Sequence, residues 1–503
     1  MPQTINVKRR ALMQAFGAGM AASLLPAAHA ATPGNAWSST YRPYDGPFNA
    51  AFNGVLETAQ LRVEGRLPAS LQGTFFRNGP ARMRLGPTAY DHWFDGDGMV
   101  QRFGFADGKV SHRGVMLKTP KLVDEEAAGR FLYPTFGSVV PAARPVRSPD
   151  PLNAANINLL PMKGGQELYA LWEGGSALRI DPATLDVHGF KAWSPDTAGA
   201  PFSAHPRVAP DGTVWNFGYM PGSGKLIVYE IGADGELKRQ ALVAMPQADM
   251  VHDFAITERY LVFLLMPLAA AAPQRADRPF LDRFRWRDDG PLIAALVDKN
   301  DFSVRRFELP GGGVFHLGNA WEQGGVVRID YVRQPDILGT LKRLQPDSPN
   351  AHAGSQPTRW TQLELDLRTG RAIQTPTDLA DVEFPRFDAR YTGLRTDQTF
   401  MMQRSAGMPN EVQGFDSVVA VRSGRIGRFV YGAGWIAEEH VYVPRPGAGR
   451  DGAGWMLGTA YHWPSERTTL SVFDAQHLED GPVARMQLPY GLPLGLHGTF
   501  VAA

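Results

Sequence analysis

The chain of 503 residues is 44% hydrophobic, 20% charged and 10% aromatic, a balance that excludes a disordered protein and a bundle of membrane spans. Lys and Arg number 51 against 50 Asp and Glu, so the net charge of +1 provides no basic field to draw nucleic acid. Cysteine is absent, which excludes disulfides, thiolate metal sites and a thiol nucleophile; any metal must be held by nitrogen or oxygen, and 12 histidines are available.

The first thirty residues read as an address. Lys8-Arg9-Arg10 precedes a short apolar stretch, Ala11 to Pro26, closed by Ala28-His29-Ala30. A charged start, a short apolar centre and a small-residue cleavage pattern predict a secretory signal over residues 1–30, cut after Ala30. The stretch falls short of the about 20 apolar residues that span a bilayer. The Arg pair favours the twin-arginine (Tat) export machinery and a periplasmic destination. Residues 31–503 contain no linker that divides them and are expected to form one domain.

A strand–turn–strand unit then recurs along the chain. It starts near Val100, Ser176, Leu226, Ile293, Trp360, Ser417 and Thr468, each time as an apolar run, a turn rich in Asp, Gly or Asn, and a second run. The 54 glycines and 40 prolines suit such a turn-rich chain. Seven hairpins at blade-like spacing predict an all-β fold, a seven-bladed β-propeller; a stack of β-sandwiches is the competing arrangement. Helical signal is confined to two inserts, Pro120–Tyr133 and Asp336–Leu344. They are expected to build a small helical and loop dome over the top face, where a ligand would sit.

Four histidines stand out by context: His205 in PFSAHPRV, His252 in MVHDFAIT, His316 in GGGVFHLGNAWE and His497 in GLPLGLHGTFV. Each lies beside a strand-like run and among small residues that let the backbone approach a partner closely. In a propeller they come from different blades and can all face the axis, and imidazole suits Zn, Cu, Fe or Ni. Spacing alone does not separate them from ordinary core or surface histidines.

The surrounding motifs do. SAHPRV, MVHDFAIT, FHLGNAWE and LHGTFV follow FFRNGPAR (Phe75–Arg82) and HWFDGDGMVQRFGF (His92–Phe105), with EFPRF from Glu383 and VYVPRPGA from Val441. From about Leu56 to the C-terminus this ordered set resembles the carotenoid cleavage oxygenase family. The resemblance implies a seven-bladed propeller with one Fe(II) on its axis, O2 as cosubstrate, and His205, His252, His316 and His497 as the metal ligands. It also implies three carboxylates, Glu173, Glu383 and Glu439, that hold the outer nitrogens of the imidazoles, as ligating histidines require. Glu438 competes with Glu439, because His440 follows where the family commonly has Pro. Asp95 and Asp97 in FDGDGM lack the further ligands of a calcium loop and are expected to form a structural turn, with His92 structural beside it. His29 leaves with the signal, and His112, His188, His352, His462 and His477 have no matching context.

The implied reaction adds both atoms of O2 across a conjugated C=C bond and yields two carbonyl products. The expected partner is a small apolar or aromatic alkene, carotenoid-derived in the first instance, with peripheral membrane contact as a route to it. Phe263–Ala272 and Phe280–Trp286 are candidates for the tunnel mouth or wall, with plain core packing as the competing reading. The family's lignostilbene branch binds a phenol through Tyr and Lys, and Lys121 in LKTPKLVDEEAAGR, with Tyr90 as companion, gives phenolic stilbenes or phenylpropenes as the alternative. A non-catalytic propeller that binds a ligand or partner is a further alternative, opposed by the presence of all four His and three Glu.

Overall fold

The computed structural model describes residues 54–270, 275, 277–345, 356–410, 412–449 and 452–503. The expected signal, residues 1–30, lies outside these, as does His352. Seven sheets of four or five antiparallel strands form the ring, with two small two-strand ribbons beside them. The innermost strands are His497–Ala502 in blade 1, Asn158–Met162 in blade 2, Arg207–Val208 in blade 3 and Ala255–Ile256 in blade 4. Gly313–Gln323, Val382–Arg386 and Trp435–Pro444 take this place in blades 5, 6 and 7. From blade 4 round to blade 2 these strands touch their neighbours in turn, which surrounds the axis.

Each of the seven hairpins read from the sequence falls in a different blade; in the four-stranded blades it is the outer pair, for example Leu292–Asp298 with Val304–Leu309, and in blades 1 and 7 a further strand, Val55–Thr58 or Val63–Gly65, pairs on its outside. Outer strands have one face in water and alternate, as in KVSHRGVM of Lys109–Met116. Middle strands are covered on both faces by neighbouring blades, so YLVFLL of Tyr260–Leu265 and LIAALVD of Leu292–Asp298 are buried throughout. Phe263 therefore packs on Phe217 and Phe254, with ring centroids 5.2 and 5.4 Å away. The expectation that Phe263–Ala272 lines the tunnel is corrected over its described part: Phe263–Leu265 are blade core, Leu268–Ala270 form a ribbon with Phe284–Trp286, and none of residues 263–270 lines the cavity.

Both ends of the chain close the ring. His497–Ala502 pairs with Gly73–Arg82, and Val63–Gly65 pairs with Pro482–Gln487 of blade 7. The approach is tight: a Cβ on Gly79 would stand 2.4 Å from the Cα of Gly495, so only glycine fits.

Two α-helices occur among the described residues. The first runs Pro120–Ala128, capped by Thr119, whose hydroxyl accepts from the Leu122 N–H at 3.1 Å. It stops short of Tyr133 because Gly129 takes the left-handed conformation, φ 63°, that ends helices. The second, Ile337–Arg343, lies between Asp336 and Leu344 as its caps, and Ile337 and Leu341 turn inward. Among the described residues no helix is long and apolar enough to cross a membrane.

Candidate metal centre

His205, His252, His316 and His497 are all buried, and one ring nitrogen of each lies within 4.8 Å of the others. His205 and His252 bring their Nε2 atoms to 2.9 Å, and His252 and His316 to 3.3 Å. Imidazole nitrogens bound at about 2.1 Å and at right angles stand about 3.0 Å apart, so the donor set has the spacing a single ion needs. The four histidines can therefore coordinate one metal ion.

Local backbone irregularity aims these groups. His316, Glu383 and the pair Glu438 and Glu439 each sit where the register shifts against the next strand, between Val314 and Leu317, Glu383 and Arg386, and Ala437 and His440. Bulges break the alternation of a strand and turn a side chain toward a site. Phe384, beside Glu383, has φ 56°, an uncommon conformation for a bulky residue, and its N–H donates to Glu383 Oε2 at 2.7 Å.

The outer nitrogens of three imidazoles meet carboxylates. His252 Nδ1 is 2.5 Å from Glu173, His316 Nδ1 is 2.6 Å from Glu383, and His497 Nδ1 is 2.9 Å from Glu439. Each Nδ1–H donates to its carboxylate, which leaves Nε2 as the lone-pair donor facing the cluster. Glu438 does not take this part. It pairs with Arg77 at 3.1 Å and accepts the N–H of Gly495. His205 has no such close partner; Asp253 lies 3.9 Å from its Nδ1.

Burial and these partners set the protonation. His205 is held well below the ordinary histidine range by burial and by the other imidazoles, and burial lowers His497 to about 3. Burial also opposes charge on His316, but Glu383 outweighs it and raises that group. Glu439 is disfavoured as an anion by burial, yet Arg386 and His497 hold it well below the usual carboxylate range.

The cluster opens into a cavity of about 900 Å³. Its walls include Phe94, Phe136, Trp172, Phe280, Phe315, Phe384 and Leu496, with Ile337, Leu341 and Leu344 contributed by the second helix and its cap. Phe280 and Arg283 of the predicted wall segment Phe280–Trp286 line it. Phe315 stacks on His252 at 3.7 Å, so the apolar wall reaches the donor set itself.

Tyr90 and Lys121 are brought together, with Nζ 2.8 Å from the phenol oxygen, but neither lines this cavity. Lys121 is buried and also donates to Asp97 and Glu125, each at 2.9 Å. Three ammonium hydrogens meet three acceptors here, because the first helix lays Lys121 and Glu125 against the acidic turn of blade 1. Asp95 of that turn accepts the N–H groups of Phe136, Gly137 and Ser138. His92 donates from Nε2 to Leu341 O at 2.7 Å, tying the second helix down. Both serve structure.

Several contacts were not visible in the sequence. Arg386 binds both oxygens of Glu439 at 2.7 and 2.8 Å, Tyr219 donates to Glu173, and Gln334 donates to Glu383 at 2.6 Å. Glu383 and Arg386 are three apart in one strand, which alternation places on opposite faces; the bulge overrides that.

A family model described as retinal pigment epithelial membrane protein matches residues 50–502. The chain belongs to this family, that of the carotenoid oxygenases. It is 29% identical over 464 residues to an apocarotenoid-15,15'-oxygenase of Synechocystis sp., covering 87% of this chain and 92% of that one. It is 30% identical over 502 residues to lignostilbene-alpha,beta-dioxygenase isozyme III of Sphingomonas paucimobilis, covering 91% and 98%. The solved structure of cobalt-substituted Synechocystis ACO superposes with a TM-score of 0.81 at 26% identity, covering 92% of this chain and 98% of that one. The protein is thus an oxidoreductase, a dioxygenase of the carotenoid-cleavage type, on a seven-bladed propeller.

Proposed function

We propose that this protein is an Fe(II)-dependent dioxygenase that cleaves one conjugated C=C bond of an apocarotenoid-type substrate into two carbonyl products. The observation that carries this reading is a four-histidine cluster, three of whose members, His252, His316 and His497, line an apolar cavity of about 900 Å³. That volume is near the upper end of the roughly 300–1,000 Å³ typical of small-molecule sites. His205, His252, His316 and His497 hold the iron, and Glu173, Glu383 and Glu439 orient three of them. Iron(II) bound there supplies the redox chemistry by which ground-state O2 reacts with an alkene. The chain's own part is to orient the imidazoles, through carboxylates that take the Nδ1–H of His252, His316 and His497 and leave each Nε2 facing the cluster. The aromatic walls place an extended alkene across the cluster and exclude water from it.

A phenolic alkene is the second reading, favoured by the likeness to a lignostilbene dioxygenase and by the contact of Tyr90 with Lys121. Against it, that pair is satisfied by Asp97 and Glu125, and neither residue lines the cavity. Incubating the Fe(II)-loaded enzyme in air with an apocarotenal and with a hydroxystilbene, then identifying the aldehydes, decides between them. Aldehydes from the stilbene alone overturn the first reading; none from either substrate overturns both. For location, we propose Tat export with cleavage after Ala30, checked by the N-terminal sequence of periplasmic protein. Peripheral membrane contact is checked by sedimentation with lipid vesicles.

A further inference from the structure

The acidic groups around the four histidines are not equivalent. Glu173 receives hydrogen bonds from Tyr219 and His252, and Glu383 from Gln334, the Phe384 N–H and His316, all uncharged donors. Glu439 instead carries a guanidinium on both oxygens. Arg386 Nε and Nη2 reach Oε1 and Oε2 at 2.7 and 2.8 Å, while the Gly498 N–H adds a further bond to Oε2. The fourth acid, Asp253 beside His205, is likewise neutralised: Arg207 Nη2 lies 2.8 and 2.9 Å from its two oxygens. Glu438 is matched by Arg77.

The histidines thus fall into two pairs. His252 and His316 rest on carboxylates that carry no arginine among the described residues, at 2.5 and 2.6 Å; His497 and His205 rest near carboxylates each closed by an arginine, at 2.9 and 3.9 Å. A bare carboxylate draws the Nδ1 proton and strengthens Nε2 as a donor, and an arginine on that carboxylate weakens the effect. The sum of charge is two negative, from Glu173 and Glu383. A divalent ion makes the buried site neutral, whereas a trivalent one leaves a positive charge in an apolar cavity, which is costly.

We propose that Arg386 is a positioning residue that acts through Glu439 on His497 and, together with Arg207 on Asp253, fixes the charge around the four histidines to match a divalent ion. Iron is thereby held in the ferrous state. The inference rests on the iron site proposed above and concerns Arg386 and Arg207, to which that reading gives no part.

The test is a spectroelectrochemical titration of the full-length, iron-loaded protein, with iron content measured on each sample. Arg386→Gln removes the charge and keeps a donor. At the wild-type midpoint its Fe(III)/Fe(II) ratio is expected to rise on the order of tenfold, about 59 mV for one electron. Arg386→Lys keeps the charge and stays near wild type. Glu439→Gln shifts the ratio the opposite way, and the double variant R386Q/E439Q, with both charges gone, returns toward wild type. A ratio unmoved in R386Q, or moved as far in R386K, overturns the proposal, the latter because bond geometry and not charge then governs. Where R386Q does not retain iron, E439Q decides, and an unmoved ratio there overturns it. Wild-type protein that takes up no iron overturns the underlying iron site as well, and is distinguished by the metal content.

Discussion

Replacing Glu173 removes two contacts at once, which makes it a sharp probe of how the imidazoles are held. One carboxylate oxygen accepts the Nδ1–H of His252 at 2.5 Å, and the other accepts the hydroxyl of Tyr219. In Glu173→Ala the His252 ring keeps its position, because Phe315 stacks on it at 3.7 Å and an interplanar angle of 7°. What it loses is the acceptor that fixes its tautomer. Loss of such a partner weakens metal binding by about 10- to 100-fold, or about 1.4–2.7 kcal/mol. The Tyr219 hydroxyl, buried and left without its acceptor, costs the metal-free protein a further ~1–3 kcal/mol of stability. Glu173→Gln separates charge from contact: its carbonyl can accept from Nδ1 while its amide donates to Tyr219, so metal binding falls less and stability is nearly kept. Competition for Fe(II) against a chelator of known affinity, with unfolding of the metal-free protein alongside, measures both quantities. Glu173→Ala binding iron as tightly as wild type would refute the reasoning, as would Glu173→Gln weakening binding as much as Glu173→Ala.

Three further outcomes follow from the same contacts. Metal-free protein is expected to lose stability as pH falls from about 6.5 toward 3 to 4. Burial lowers His112 and His497 to about 3 and His440 to about 4, so over that window the unfolded chain binds protons that the folded chain refuses. Stability then rises with pH by up to about 1.4 kcal/mol per unit for each group, and denaturant titrations flat over this range would contradict it. Lys121→Met strands buried Asp97 and Glu125; the cost is expected near the lower end of about 3–5 kcal/mol, because Arg82 still reaches Asp97 at 2.7 Å. Its iron content should stay at the wild-type value; iron lost with stability unchanged would place Lys121 at the metal site instead. Divalent metal at about 100 times its Kd is expected to stabilise the protein by about 2.7 kcal/mol, and His497→Ala to abolish that gain. A thermal shift preserved in His497→Ala removes this residue from the ligand set.

The hairpins were legible because hairpin chemistry is local: an Asp- or Gly-rich turn between two apolar runs marks one strand pair in each blade. The innermost strands gave little signal of their own. Arg207–Val208 and Ala255–Ile256 are two residues each, too short for periodicity to register. The four histidines were legible by their motifs, and their convergence follows from blade position. Arg386 was not, because it lies three positions after Glu383, on the opposite face by alternation, and only a bulge brings both toward the axis. The surroundings of Lys121 were not legible for a different reason. A lysine near a helix start carries no mark of what it faces, and here the acids of blade 1 and of its own helix, Asp97 and Glu125, face it.

The position of His497 joins the metal site to the closure of the fold. It is the first residue of the strand that ends the chain and completes blade 1 against Gly73–Arg82. Its Glu439 comes from the innermost strand of blade 7, and the Arg386 on that carboxylate from blade 6, with a further bond from Arg386 to the carbonyl of Gly498. An ion held by His205, His252, His316 and His497 therefore links blades 3, 4 and 5 to the seam of the ring. The seam is where a propeller has the least chain continuity, since strands from both ends must meet there. Binding energy placed at this point opposes the opening of the ring as a whole, and disorder at the seam removes one of the four imidazoles. Metal retention and ring closure are consequently coupled through one residue, which a site built from contiguous blades alone would not achieve.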